Sequence, residues 1–247
     1  MQSATARTTI LQTSKPQPRL LGYGHPSAFL QLAAILLAAA LSSYPAIAAV
    51  KDAPTLKIIA FGDSLVAGLG VATDAAFPSV LQEKLRAEGY NVAIINAGVS
   101  GDTTSGGLAR LDWTLAGGAD GVILELGAND MLRGIDPDIT KAALDAMLAK
   151  LKAMNIKVLI AGMKATPSLG PEFKSRFDAI YPELAKKYDL PLYPFFLDGV
   201  AGDPSVKQPD GLHPNPAGVQ RIVASILPTV RSFLSQLDKN AAPKTGE

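Results

Sequence analysis

From Leu56 onward the chain alternates short, near-continuous apolar runs with longer stretches whose apolar positions recur every three or four residues. The runs are Leu56-Lys57-Ile58-Ile59-Ala60-Phe61, Val92-Ala93-Ile94-Ile95, Val122-Ile123-Leu124-Glu125-Leu126, Ile156-Lys157-Val158-Leu159-Ile160 and a weaker Leu190-Pro191-Leu192-Tyr193. Because they are nearly continuous rather than alternating, they predict parallel strands covered on both faces. The longer stretches predict helices over about 78–88, 103–115, 138–154, 173–188 and 216–237. In the third, Ile139, Ala143, Met147 and Leu151 recur every four residues and predict one buried stripe. Punctuation agrees: Gly89 follows the first helix, and Pro216 fits the first turn of the last. This alternation predicts βαβ units and a three-layer α/β/α sandwich on a mostly parallel, five-stranded sheet. It forms one domain over 50–247, with a frayed polar tail at 240–247.

Residues 1–49 follow another pattern. They hold Arg7, Lys15 and Arg19 but no Asp or Glu, and Phe29 to Leu41 is an uncharged run. That run falls short of the roughly 20 residues of a bilayer span and matches the apolar core of a signal peptide. Ala46-Ile47-Ala48 then offers small residues where a signal peptidase reads, which places cleavage after Ala48 or Ala49. The basic segment is unusually long, and the next methionine is Met131, so no internal start explains it. An uncleaved anchor and a misassigned start are the competing readings; the short span and the cleavage signal favour a secreted protein. Losing residues 1–49 removes three bases, no acid and His25, which moves the formal charge from +1 to −2. His213 is then the sole histidine.

Composition narrows the chemistry. With 48% hydrophobic and 18% charged residues the chain is globular rather than disordered. Zero cysteines exclude a disulfide framework, thiolate zinc and a cysteine nucleophile. So few histidines argue against a metal cluster on imidazoles, and neither metal nor cofactor is expected. A charge near zero gives no reason to expect nucleic acid.

In a doubly wound sheet, ligands bind beyond the carboxyl ends of the strands, and four polar blocks lie there. After the first run, Phe61-Gly62-Asp63-Ser64-Leu65-Val66-Ala67-Gly68 places a serine at the start of a loop and helix. The block shows either a nucleophilic hydroxyl or, through Asp63 or Ser64, a helix cap, and it is not a G-x-S-x-G elbow. After the second, Asn96-Ala97-Gly98-Val99-Ser100-Gly101-Asp102-Thr103-Thr104 reads as a strand-to-helix turn whose glycines also admit a ligand close to the backbone. After the third, Leu126-Gly127-Ala128-Asn129-Asp130 offers an amide that can donate to an oxyanion, or an Asx turn. Before the last helix, Gln208-Pro209-Asp210-Gly211-Leu212-His213-Pro214-Asn215 sets a carboxylate three residues ahead of the histidine. Asp210 can accept from Nδ1–H and leave Nε2 outward as a base, whereas a solvated loop histidine is the ordinary alternative.

Together and in this order, Gly-Asp-Ser-Leu, Ser-Gly-Asp-Thr, Gly-x-Asn-Asp and Asp-x-x-His resemble the SGNH, or GDSL-type, hydrolase superfamily over residues 56–236. The longer strings GDSLVAGLG, LELGANDMLRG and DGLHPN are similar to its bacterial periplasmic branch of acyl-CoA thioesterases, lysophospholipases and arylesterases. The resemblance implies the flavodoxin-like fold of that superfamily and a secreted, periplasmic, cofactor-free serine esterase acting on small acyl esters or thioesters. Ser64 would be the nucleophile, His213 the general base and Asp210 its orienting partner. Gly101 and Asn129 would complete an oxyanion hole with the Ser64 backbone. Asp63, Thr166 and Pro167 would border substrate, the last two in the loop Met163 to Pro171, where this chain departs from the branch. A carbohydrate O-deacetylase of the same superfamily and a non-catalytic binding module are the rivals. Trp113, the single tryptophan, is expected to be a packing residue. Edman sequencing of the exported protein should begin at Ala49 or Val50; a mature chain that retains Phe29 to Leu41 would refute the cleaved leader.

Overall fold

The computed structural model describes residues 55–237; the leader expected over 1–49 and the tail expected over 240–247 lie outside them. Five strands form one parallel sheet: β1 (Leu56–Gly62), β2 (Val92–Gly98), β3 (Gly121–Leu124), β4 (Lys157–Ala161) and β5 (Leu192–Tyr193), in the order β2-β1-β3-β4-β5. Among the described residues seven α-helices accompany it: α1 (Ser64–Ala67), α2 (Phe77–Ala87), α3 (Thr104–Leu115), α4 (Ala128–Leu132), α5 (Pro137–Ala153), α6 (Pro171–Tyr188) and α7 (Pro216–Leu237). α2 packs on α7 on one face, while α3, α5 and α6 pack side by side on the other. This is the expected flavodoxin-like sandwich.

Burial explains the near-continuous apolar runs. β3 is buried at every position and β1 at all but Lys57. Removing a Val, Leu or Ile side chain from water contributes about 1.5–3 kcal/mol, so the two central strands anchor the core. Register puts Leu56 beside Val92 and Gly62 beside Gly98 along β1 and β2, and Ile58 beside Gly121 along β1 and β3. The order of strands reverses at β1, between β2 on one side and β3 on the other. A crevice opens at such a switch point above the strand ends.

Three details differ from the sequence pattern. α1 and α4 leave no trace in the apolar periodicity, because helices of four or five residues are below the length at which it shows or an isolated helix is stable. Trp113 is 82% exposed, so it is not a packing residue. Ile139 is 53% exposed, although Ala143, Met147 and Leu151 are buried as expected. A strict four-residue repeat advances about 40° past a full turn at each step, so it walks off the buried face. The face of α5 instead runs through Thr140, Ala143, Leu144, Met147, Leu148 and Leu151. Thr140 holds its place by donating to Asp130 Oδ1 at 3.2 Å.

Thr140→Ala should therefore lower the unfolding free energy by about 1–3 kcal/mol through a buried carboxylate left short of a donor, whereas Ile139→Ala should change it by less than about 0.5 kcal/mol. Urea denaturation of the two variants checks this ordering, and a larger loss at Ile139 would refute it.

Candidate active site

Ser64 lies two residues beyond the end of β1, at the first position of α1. Asp63 caps that helix, accepting from the Leu65 N–H through Oδ1 at 3.0 Å, and Gly68 closes it in a left-handed conformation (φ 82°). α1 lies hard against the end of β2: a Cβ on Gly98 would stand 2.2 Å from the Ala67 nitrogen, so only glycine permits the approach. Asn96 fastens the same contact, donating from Nδ2 to the Ala67 carbonyl at 3.2 Å and accepting from the Gly98 N–H at 3.0 Å.

His213 comes to Ser64 from 149 residues away, with Nε2 2.9 Å from Ser64 Oγ. Its Nδ1 lies 2.6 Å from Asp210 Oδ2. Asp210 Oδ1 also accepts from the backbone N–H groups of Leu212 and His213, at 2.9 and 3.0 Å. The His213 bond, followed by these two backbone bonds, holds the Asp210 carboxyl down at about 2. It is thus ionised throughout the working range and fixes the imidazole with a proton on Nδ1. The loop is tied at both ends. Gln208 donates from Nε2 to the carbonyls of Leu69 and Pro214, and Asn215 accepts from the Gly218 N–H in the first turn of α7.

The other two blocks reach the same crevice. Asn129 is in α4, directly beyond β3, and its Nδ2 donates to Asp63 Oδ2 at 3.1 Å, leaving its second hydrogen for the cavity. Gly101 is in the turn after β2 with φ 83°, a conformation that favours glycine, and its carbonyl accepts from Arg133 at 2.7 Å. Ser64, Gly101, Asn129 and His213 line one cavity of about 300 Å³. Its other walls are mainly apolar, with Leu65, Met131 and Met163 inside and Leu69, Leu132 and Leu212 half-exposed at the rim.

The three residues expected to border substrate are placed elsewhere. Asp63 is fully buried below the serine, with both oxygens engaged by Leu65 and Asn129. Thr166 and Pro167 are not among the cavity-lining residues: after Met163 the chain turns outward, and Thr166 caps the turn Pro167–Leu169 through Ser168. Met163 is the part of that loop that reaches the cavity.

Sequence reasoning did not single out Arg110 of α3. It lies over the Phe61 ring, 4.0 Å from the centroid, and donates to the carbonyls of Gly62 and Ala97, both at 2.9 Å. It also pairs with Asp102 at 2.7 Å, so one guanidinium joins the ends of β1 and β2 to the Gly101 turn. Asp130, fully buried, similarly joins α4 to the start of α3 by accepting from the Thr104 N–H and hydroxyl at 2.9 and 2.5 Å. Neither residue leaves a periodic signal, because each joins segments that meet only in the folded chain.

This constellation defines a serine hydrolase on a doubly wound sheet. The model of the GDSL-like lipase/acylhydrolase family matches residues 60–221. Esterase TesA of Pseudomonas aeruginosa is 38% identical over 185 residues, 74% of this chain and 92% of that protein. Thioesterase 1/protease 1/lysophospholipase L1 of Escherichia coli K12 is 41% identical over 164 residues, 66% of this chain and 76% of that one. Among solved structures, AlinE4, an SGNH-hydrolase family esterase, superposes with a TM-score of 0.63 at 43% identity, covering 74% of this chain and 98% of its own. The chain belongs to the GDSL-like lipase/acylhydrolase family and is a hydrolase acting on ester bonds.

Arg110→Lys keeps the charge beside Asp102 but lacks the fork that reaches two further carbonyls. It should lower the unfolding free energy by about 2 kcal/mol, since bonds from a charged donor contribute about 1.5–3 kcal/mol each. An unshifted urea midpoint would show that the guanidinium does not hold the strand ends together.

Proposed function

We propose that this chain is a secreted serine esterase that hydrolyses small acyl esters or thioesters through an acyl-enzyme on Ser64. The observation that carries the reading is the unbroken path Asp210–His213–Ser64, 2.6 and 2.9 Å per step, opening onto an apolar cavity. Ser64, Gly101 and Asn129 line that cavity, and this reading makes the Asn129 amide and the backbone N–H groups of Gly101 and Ser64 the oxyanion donors.

The chemistry follows from that geometry. A serine hydroxyl is weakly nucleophilic until a base takes its proton during attack, and Nε2 of His213 is within reach to do so. Asp210 stabilises the imidazolium that forms. The Ser64 Oγ–carbon bond forms as the carbonyl oxygen becomes an oxyanion, and each donor there is worth about 10²–10³-fold in rate. Collapse expels the alkoxide or thiolate, which takes the proton from His213. Water then attacks the acyl-serine with His213 again as base, releases the carboxylic acid and restores Ser64. No further reactant enters.

Apolar walls favour an acyl chain over a sugar ring, whose hydroxyls would leave water for a surface that cannot bond them. The names carried by the relatives, an esterase and a thioesterase/lysophospholipase, support the same substrate range. Export rests on the leader pattern of residues 1–49.

Ser64→Ala and His213→Ala should each reduce hydrolysis of p-nitrophenyl butyrate by roughly 10³-fold or more while the circular dichroism spectrum is unchanged. A fluorophosphonate should label the parent protein at Ser64. Activity close to the parent in either variant would remove the triad. A panel of acyl esters and thioesters beside acetylated sugars separates the substrate classes, and faster turnover of the sugars would replace this reading with a deacetylase.

A further inference from the structure

Two acids buried below Ser64 have no part in the chemistry just described. Asp63 and Glu125 are both fully buried, and the Asp63 N–H points to Glu125 Oε2 at 3.4 Å. Asp63 divides its two oxygens: Oδ1 takes the Leu65 N–H, which caps α1, and Oδ2 takes Nδ2 of Asn129. A primary amide whose nitrogen lies in a crevice can rotate about its last torsion, because sp³–sp² torsions are broad. One acceptor on one of its hydrogens removes that freedom and aims the other.

We propose that Asp63 is a positioning residue whose carboxylate fixes the Asn129 amide so that one N–H is always presented to the developing oxyanion. The inference rests on the acyl-enzyme reading above. It requires Asp63 to be ionised when the enzyme works, and the surroundings set when that is. Burial pushes its carboxyl up to about 6, against the bonds from Leu65 and Asn129 and the positive charge of a protonated His213, while Asp102 adds to the rise. Glu125, facing it from the end of β3, is pushed well above the usual carboxylate range by burial and then by the Asp63 charge, so it keeps its proton. Of the two acids, Asp63 is therefore the one that carries charge near neutral pH. As the pH falls through about 6, Asp63 takes a proton and the acceptor for Asn129 weakens.

Two variants and one profile test this. Asp63→Asn has the same shape but a single acceptor oxygen for two donors. Asp63→Ser keeps a capping oxygen for Leu65 and supplies none to Asn129. Each should lower kcat about 10²-fold on p-nitrophenyl butyrate with KM within about twofold, because an oxyanion donor acts in the transition state and not on bound substrate. The ratio of parent to Asp63→Ser kcat/KM should fall from about 10² near neutral pH toward one as the pH drops through about 6, because protonating Asp63 takes from the parent what the variant already lacks. If Asp63 only caps α1, Asp63→Ser restores full kcat, and the proposal is overturned. A ratio that stays constant across that range overturns it as well, and Asp63→Asn supplies the same ratio where Asp63→Ser fails to fold. Should Ser64→Ala stay active, the acyl-enzyme reading itself has failed; loss of activity there with parent-like kcat in Asp63→Ser refutes the positioning role alone.

Discussion

β1 is paired on both edges and covered on both faces, and almost everything at the site depends on that. Its partners, β2 and β3, end beside it in fixed parallel register, so three chain segments emerge at one level: Gly62 to Ser64, Gly98 to Gly101, and Leu126 to Asn129. A shift of one residue in either pairing would send each strand's side chains to the opposite layer of helices, whose packing fits different volumes, and the core could not absorb that. The register that satisfies the hydrophobic interior thus also decides which polar residues meet above it.

The polar groups at the crevice are held from outside it. Arg110 reaches from α3 to two strand-end carbonyls and to Asp102. Asp130 ties α4 to α3 and α5. Gln208 binds the His213 loop to Leu69, at the far end of the nucleophile segment. Arg110 and Gln208 serve backbone carbonyls, and Asp130 serves one backbone N–H and two hydroxyls, an arrangement that holds irregular loops in place. Charge is also graded with depth: Asp210, partly exposed and bonded by three donors, stays ionised far into acid, while Asp63 and Glu125, deprived of water, are pushed the other way.

Much of this was legible in the sequence because the signals involved are local. Five apolar runs and five periodic stretches correspond to the five strands and the five long helices, with ends displaced by a few residues. Where the ends moved, a partner moved them: β2 runs on to Gly98, beyond its apolar residues, because β1 offers a ladder as far as Gly62. The four polar blocks could be located since such a sheet presents them at its strand ends. The spacing of Asp210 and His213 is itself a local geometry, one turn of chain that lets a carboxylate curl back to an imidazole.

Contacts between distant segments were not legible. Asp63 resembles any acid beside a motif serine until the structure shows it buried, with one oxygen on Leu65 and the other on Asn129. Trp113 and Ile139 are apolar, but the turn of each helix relative to its neighbours decides exposure, and both face outward. Thr166 and Pro167 follow Met163 by three and four residues, yet a single turn carries them away from the cavity. The sequence by itself determined the element order, the sheet class and the residue types available for chemistry, because periodicity and turn chemistry act over a few residues. Tertiary structure alone decided the 2.9 Å approach of His213 to Ser64, the binding of Arg110 across two strand ends and the division of charge between Asp63 and Glu125. Each of these depends on distances and on the exclusion of water by segments far apart in the chain.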